Sequence, residues 1–165
     1  GDVNGGFQFT HAAGYEAGVV LVNAVLHVPM KVNYEQVPWV TYFDPEVASV
    51  GYNETRAKKA GLGYQVEIEK FGCNDRALAE ASHEGFIKIL VNKRRRPIGV
   101  QIVGSHAGDL LGEWIAVLAA KIPLAKVARA VHPYPTLSEI NKSISGNVLA
   151  PYFFNSPIVR FLSSF

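Results

Sequence analysis

Three side chains in one short stretch have the chemistry to move a proton or hold a polar ligand. They are the imidazole of His132, the phenol of Tyr134 and the carboxylate of Glu139, in His132-Pro133-Tyr134-Pro135-Thr136-Leu137-Ser138-Glu139. Two prolines one residue apart hold the residues before them out of the helical region, so the stretch reads as an extended arm. Thr136 stands where a helix N-cap would, and Glu139 follows at the spacing of a capping box. An arm locked by the helix behind it would deliver Tyr134 and Glu139 to one place. On spacing alone, a plain proline-rich loop entering a helix is the simpler account.

A second place of interest is Gly1-Asp2-Val3-Asn4-Gly5-Gly6 and the helix start that follows it. A carboxylate on a glycine-rich turn, here Asp2, accepts hydrogen bonds from a polyol. A helix beginning near Thr10 offers N–H groups and a positive dipole end at His11, Ala12 and Ala13. A turn into a core helix explains the same residues and ranks ahead of a ligand site on pattern alone. Cys73 is the one cysteine, with no second thiol and no histidine beside it in sequence, so it reads as a structural thiol. No metal-ligand spacing, phosphate loop, complete dinucleotide fingerprint or internal repeat is visible, and the five histidines are scattered.

The elements that must position these residues follow from periodicity and punctuation. A helix is expected from Thr10 to about His27, so apolar late in its length (Val19, Val20, Leu21, Val22, Val25, Leu26) that it demands burial on nearly all sides. Residues 33–37 read as a linker. Strands are expected at Val37–Phe43 and Val47–Gly51, then a helix capped by Asn53 and ended by Gly61. Tyr64–Phe71 alternates Tyr, Val and Ile against Gln, Glu and Glu, which predicts one buried and one wet face. A short helix at Asp75–Ala81 precedes a hairpin of Phe86–Val91 and Ile98–Gly104, turning through Lys93-Arg94-Arg95-Arg96. Helices at Asp109–Ile122, Leu124–Val131 and Glu139–Gly146 complete the pattern. Pro151 and Pro157 argue against a continuous helix through the apolar stretch 147–165. The sum is an α+β fold, an antiparallel sheet flanked by helices over 37–146, preceded by 1–36 and followed by an apolar tail, 147–165.

Composition narrows the function classes. At 48% hydrophobic and 18% charged the chain is globular rather than disordered, and a net charge of +2 is too small to argue for nucleic acid. The basic run most simply solvates a turn. One cysteine permits no internal disulfide and favours a reducing, cytoplasmic setting. There is no signal peptide and no continuous apolar span of transmembrane length, although the tail leaves contact with a bilayer surface or a partner groove open.

Pro135-Thr136-Leu137-Ser138-Glu139 resembles the C-terminal signature of the pyridine nucleotide-disulfide oxidoreductases, the flavoenzymes that include lipoamide dehydrogenase, glutathione reductase and mercuric reductase. The segments Pro38 to Gly61, Asn74-Asp75-Arg76-Ala77-Leu78 and Gly85 to Gly104 resemble that family's dimerisation domain in the right order. The resemblance implies a C-terminal piece of a longer FAD- and NAD(P)H-dependent enzyme, forming a homodimer and lending its arm to the partner's active site. It also implies that Asp2 contacts the ribitol of FAD and that the helix start at His11, Ala12 and Ala13 meets the flavin pyrimidine edge. The disulfide-reducing members carry histidine where Tyr134 stands. A phenol, with a pKa of about 10 against about 6.5 for imidazole, cannot shuttle protons in the same way.

A mercuric-reductase-like enzyme with a small-molecule or metal-ion acceptor therefore fits better than a true lipoamide dehydrogenase. His132 could replace the missing base only from about 6–7 Å along the arm. The apolar Trp114/Ile115/Leu118 helix, beside an arm with no evident partner in its own chain, suggests the dimer contact. A non-catalytic dimerisation module and a membrane-associated flavoprotein reducing a quinone are the other two readings.

Overall fold

The computed structural model describes residues 1–154. These divide into two compact units, with the boundary between Val37 and Pro38.

The second unit is built on a five-stranded sheet: β1 (Trp39–Thr41), β2 (Glu46–Gly51), β3 (Gln65–Lys70), β4 (Phe86–Val91) and β5 (Pro97–Gly104). Every neighbouring pair is antiparallel, in the order β1-β2-β5-β4-β3. Two short helices interrupt the strands, α2 (Glu54–Lys59) and α3 (Asp75–Ala79). Each is started by an asparagine. The Asn53 side chain accepts from the Arg56 N–H at 2.9 Å, and that of Asn74 from the Ala77 N–H at 3.0 Å. Three more helices follow the sheet: α4 (Ala107–Ala119), α5 (Leu124–Arg129) and α6 (Glu139–Phe154).

The core lies between sheet and helices. Val50, Ile87, Ile89, Val100 and Ile102 from the strands meet Leu111 and Trp114 of α4, Leu124 of α5, and Ile140 and Ile144 of α6, all essentially inaccessible to solvent. Each such aliphatic side chain contributes about 1.5–3 kcal/mol by leaving water. β5 also runs hard against the segment after β2: a Cβ on Gly99 would lie 1.8 Å from the Tyr52 carbonyl oxygen. Only glycine fits there.

The α+β architecture and the hairpin are as the sequence predicts, and three details are not. In β3 the alternation is real but its sense is inverted. Glu67 and Glu69 pair with the buried Ile89 and Ile87 of β4, and Glu69 accepts hydrogen bonds from Ser143 and Asn147 of α6. Ile68, on the opposite face, is 58% exposed. The hydroxyl and amide that α6 presents at Ser143 and Asn147 reward a carboxylate there. Secondly, Trp114 and Leu118 are used up in the unit's own core, so that stripe is not free for a second subunit. Thirdly, α6 does not stop at Gly146 but continues through Pro151 to Phe154. Its last turn is tied to the sheet, with the Tyr152 hydroxyl donating to Gln65 at 3.2 Å and the Arg95 guanidinium 5.1 Å from the Tyr152 ring centre. The rest of the expected tail, 155–165, lies outside the described residues.

The first unit holds one long helix, α1 (Thr10–Val25). Its N-cap is Phe9, with no capping side chain. Ala12, Glu16 and Val19 are buried, whereas Val20, Leu21, Val25 and Leu26 are 61–64% exposed. The expected burial on nearly all sides is not met within this unit, which has no second layer to supply it. Among the described residues no helix is long and apolar enough to cross a membrane.

Candidate active-site arm

The arm runs from the end of α5 to the start of α6, and the N-terminus of α3 grips it. Asn74 works twice. Its side-chain oxygen caps α3, and its amide donates to the Thr136 carbonyl at 3.1 Å. Next to it, the Asp75 carboxylate accepts the Tyr134 hydroxyl at 2.9 Å. The arm is therefore engaged by its own chain, contrary to the expectation that it has no partner there.

The capping box does not form. The Thr136 hydroxyl turns back to donate to the Pro133 carbonyl at 2.7 Å and lies 2.9 Å from the Ser138 hydroxyl. The N–H groups of Glu139, Ile140 and Asn141 instead donate to the carbonyls of Thr136, Leu137 and Ser138. A tight turn of i to i+3 bonds satisfies the amides that the side chain was expected to take. The peptide bond between Tyr134 and Pro135 is cis.

Behind the arm lies an open hollow of about 450 Å³, lined by Glu69, Cys73, Asp75, Tyr134, Glu139 and Lys142 among others. Tyr134 and Glu139 thus line the same hollow. Cys73 is exposed on the same hollow rather than buried as a structural thiol would be. The hydrogen bond to Asp75, and then that carboxylate's charge, raise the Tyr134 pKa above its ordinary value near 10. Ionising the phenol would set two anions against each other. At neutral pH Tyr134 is therefore a neutral donor and acceptor, not a base.

His132 is elsewhere. Its Nε2 lies 3.2 Å from both carboxylate oxygens of Glu113, its Nδ1 lies 3.4 Å from the Ala130 carbonyl, and its side chain is 9% exposed. Glu113 also accepts from the Asn141 amide at 2.9 Å, while Asn141 Oδ1 takes the Trp114 indole N–H at 2.7 Å. The root of the arm is thus pinned to α4 and α6 through a largely buried polar chain. His132 is part of that anchor and does not line the hollow. Asn74, Asp75, Glu113 and Asn141 escaped sequence reasoning because their partners are 19 to 62 residues away. The one local signal was Asn74-Asp75 heading a helix.

In the first unit Asp2 sits in a single 3-10 turn, Asp2–Asn4, and is exposed. A Cβ on Gly1 would come within 3.3 Å of the Ala13 Cβ, so the chain passes closely over the start of α1. The Ala13 N–H is spent on the Phe9 carbonyl at 3.0 Å. The His11 ring stacks on Phe9 at 5.2 Å. The carboxylate that organises this loop is the buried Glu16, which the sequence did not reveal. It accepts from Asn4 at 3.0 Å and from the Tyr34 hydroxyl at 2.8 Å. Among the described residues no cluster of three His, Cys, Asp or Glu could hold a metal ion.

Residues 37–144 match the family described as pyridine nucleotide-disulphide oxidoreductase, dimerisation domain. The mitochondrial dihydrolipoyl dehydrogenase of Caenorhabditis elegans is 38% identical over 140 residues, which is 84% of this chain and 28% of that protein. Dihydrolipoyl dehydrogenase of Geobacillus stearothermophilus is 38% identical over 141 residues, 85% of this chain and 30% of the relative. The chain therefore spans less than a third of these relatives. Among solved structures, the HOCl-induced flavoprotein disulfide reductase RclA of Escherichia coli has the same fold, with a TM-score of 0.82 at 23% identity, over 90% of this chain and 34% of that one.

Proposed function

The chain belongs to the pyridine nucleotide-disulphide oxidoreductase family, and from that premise we propose that its second unit is the homodimerisation unit of an FAD- and NAD(P)H-dependent oxidoreductase. Its 132–139 arm serves the partner's active site, where a small-molecule or metal-ion acceptor is reduced in the manner of mercuric reductase rather than of a true lipoamide dehydrogenase. The observation that carries this reading is the Tyr134–Asp75 hydrogen bond of 2.9 Å at the place where the disulfide-reducing members have a histidine.

FAD, when bound, supplies the hydride and electron transfer. In this chain the Asp2 carboxylate and the amides that open α1 around His11 and Ala12 would hold its ribitol and pyrimidine edge. The close passage of Gly1 over Ala13 fits such a cradle, whereas Ala13 itself has already given its N–H to Phe9. The remaining work belongs to the arm. Asp75 keeps the Tyr134 phenol protonated and fixes its direction. With its proton on Asp75, the oxygen still has lone pairs to accept from a thiol or a metal-bound water. Released from Asp75, the same O–H donates to a thiolate. Asn74 holds the Thr136 carbonyl and so the arm's path, and Glu139 contributes a carboxylate to the same hollow. Two exposed groups on the second unit, Ile68 at 58% and Tyr134 at 70%, are consistent with a second subunit covering them.

The test is Tyr134→Phe in the flavoprotein that contains this chain, followed by stopped-flow. Flavin reduction by NAD(P)H stays near wild type, while reoxidation by the acceptor slows about ten- to a hundredfold, the worth of one hydrogen bond to a charged reacting group. A dominant reoxidation defect in His132→Ala, with Tyr134→Phe unchanged, would overturn the assignment.

A further inference from the structure

We propose that the end of the second unit formed by the β4–β5 hairpin and the last turn of α6 is a docking surface for an anionic lipid bilayer. The hairpin carries Lys93, Arg94, Arg95 and Arg96, all exposed. The turn after α4, which bears the exposed Lys121, is joined to this hairpin by the Leu124 N–H donating to the Arg95 carbonyl at 3.3 Å. Nothing in the adjoining sequence neutralises these charges: residues 85–108, 114–138 and 140–165 contain no aspartate or glutamate.

The basic cluster is coupled to an apolar one. The Arg95 guanidinium lies 5.1 Å from the ring centre of Tyr152, in the last turn of α6. Beside Tyr152, Phe153 and Phe154 stand 64% and 65% exposed, edge to face at 5.5 Å. Exposed aromatic rings next to uncompensated cations suit the boundary between headgroups and acyl chains, where rings enter hydrocarbon and cations meet lipid phosphates. A nucleic acid would reward the cations but leave the phenylalanines in water. Buried apolar area and attraction to anionic lipids reinforce each other in such a contact. No described helix can span a bilayer, so the contact is peripheral.

The test is co-sedimentation of the 165-residue chain with vesicles of phosphatidylcholine alone or with about 30% phosphatidylglycerol, a typical anionic-leaflet mimic. The chain sediments with the anionic vesicles and not with the neutral ones, and added salt releases it. Lys93→Gln with Arg94→Gln weakens binding about thirtyfold, roughly fivefold per charge. Phe153→Ser with Phe154→Ser weakens it about tenfold or more. All four side chains are exposed, so circular dichroism stays as in the parent, and the salt titration needs no variant at all. Failure to sediment with anionic vesicles, or equal binding to neutral ones, overturns the proposal. So does tighter binding to a DNA duplex that the phenylalanine changes leave untouched, which would assign the surface to nucleic acid.

Discussion

Replacing Asn141 with leucine should cost the second unit about 1–3 kcal/mol of stability. Leucine keeps the branched heavy-atom skeleton of asparagine, so no cavity opens and the main change is in polar chemistry. Asn141 is 1% exposed and Trp114 is fully buried, and the indole N–H reaches Asn141 Oδ1 at 2.7 Å. Without that oxygen the indole donor is stranded, which costs about 1–3 kcal/mol. Glu113 loses its 2.9 Å bond from the Asn141 amide as well. That loss is worth about 1 kcal/mol or less, because the Glu113 side chain is 31% exposed and water can step in. The weak 3.3 Å contact to the Leu110 carbonyl adds little, and leucine's better transfer from water offsets about 1 kcal/mol. The melting temperature should fall by about 10 °C for a domain of this size. Urea unfolding followed by far-UV circular dichroism reads the loss directly, with the m-value unchanged. Trp114→Phe removes the donor, so adding Asn141→Leu to it should cost about 1–2 kcal/mol less than in the parent. A loss below about 0.5 kcal/mol, or strict additivity in that cycle, would refute the reasoning.

Gly99→Ala drives a methyl to within 1.8 Å of the Tyr52 carbonyl oxygen. It should lower stability by about 3 kcal/mol, measured by the urea midpoint, and wild-type stability would show that the strand can shift. Asp75→Asn removes the carboxylate that raises the Tyr134 pKa, so the phenol should ionise at lower pH. Absorbance near the tyrosinate band, with Tyr134→Phe as reference, reads that shift. The sign for stability follows: the bond's contribution is complete below the ordinary tyrosine value near 10 and is lost as pH rises through the higher folded value. An unchanged titration in Asp75→Asn would mean that the bond does not persist in solution.

How much could be read in advance depended on the range of the interaction. The 86–104 hairpin was legible because two β-branched runs flank a polar turn, and the caps at Asn53 and Asn74 are contacts over three residues. In β3 the alternation told which residues share a face, but which face meets α6 is decided by Ser143 and Asn147, more than seventy residues later. The prolines marked the arm. The partners of Tyr134 and His132, however, come from α3 and α4, which no local pattern links to it. Thr136 shows a local rule losing to backbone geometry, since the tight turn satisfied the amides first. Pro151 shows a breaker overridden by tertiary contacts, because Tyr152 is held from both Gln65 and Arg95.

The homodimer is most directly tested by sedimentation equilibrium of the 165-residue chain at micromolar concentration. A dimerisation unit predicts a single species of twice the 18.0 kDa chain mass, and Ile68→Lys, a charge on the exposed face of β3, should shift it toward the monomer. A homogeneous species of 18.0 kDa across the concentration range would contradict it.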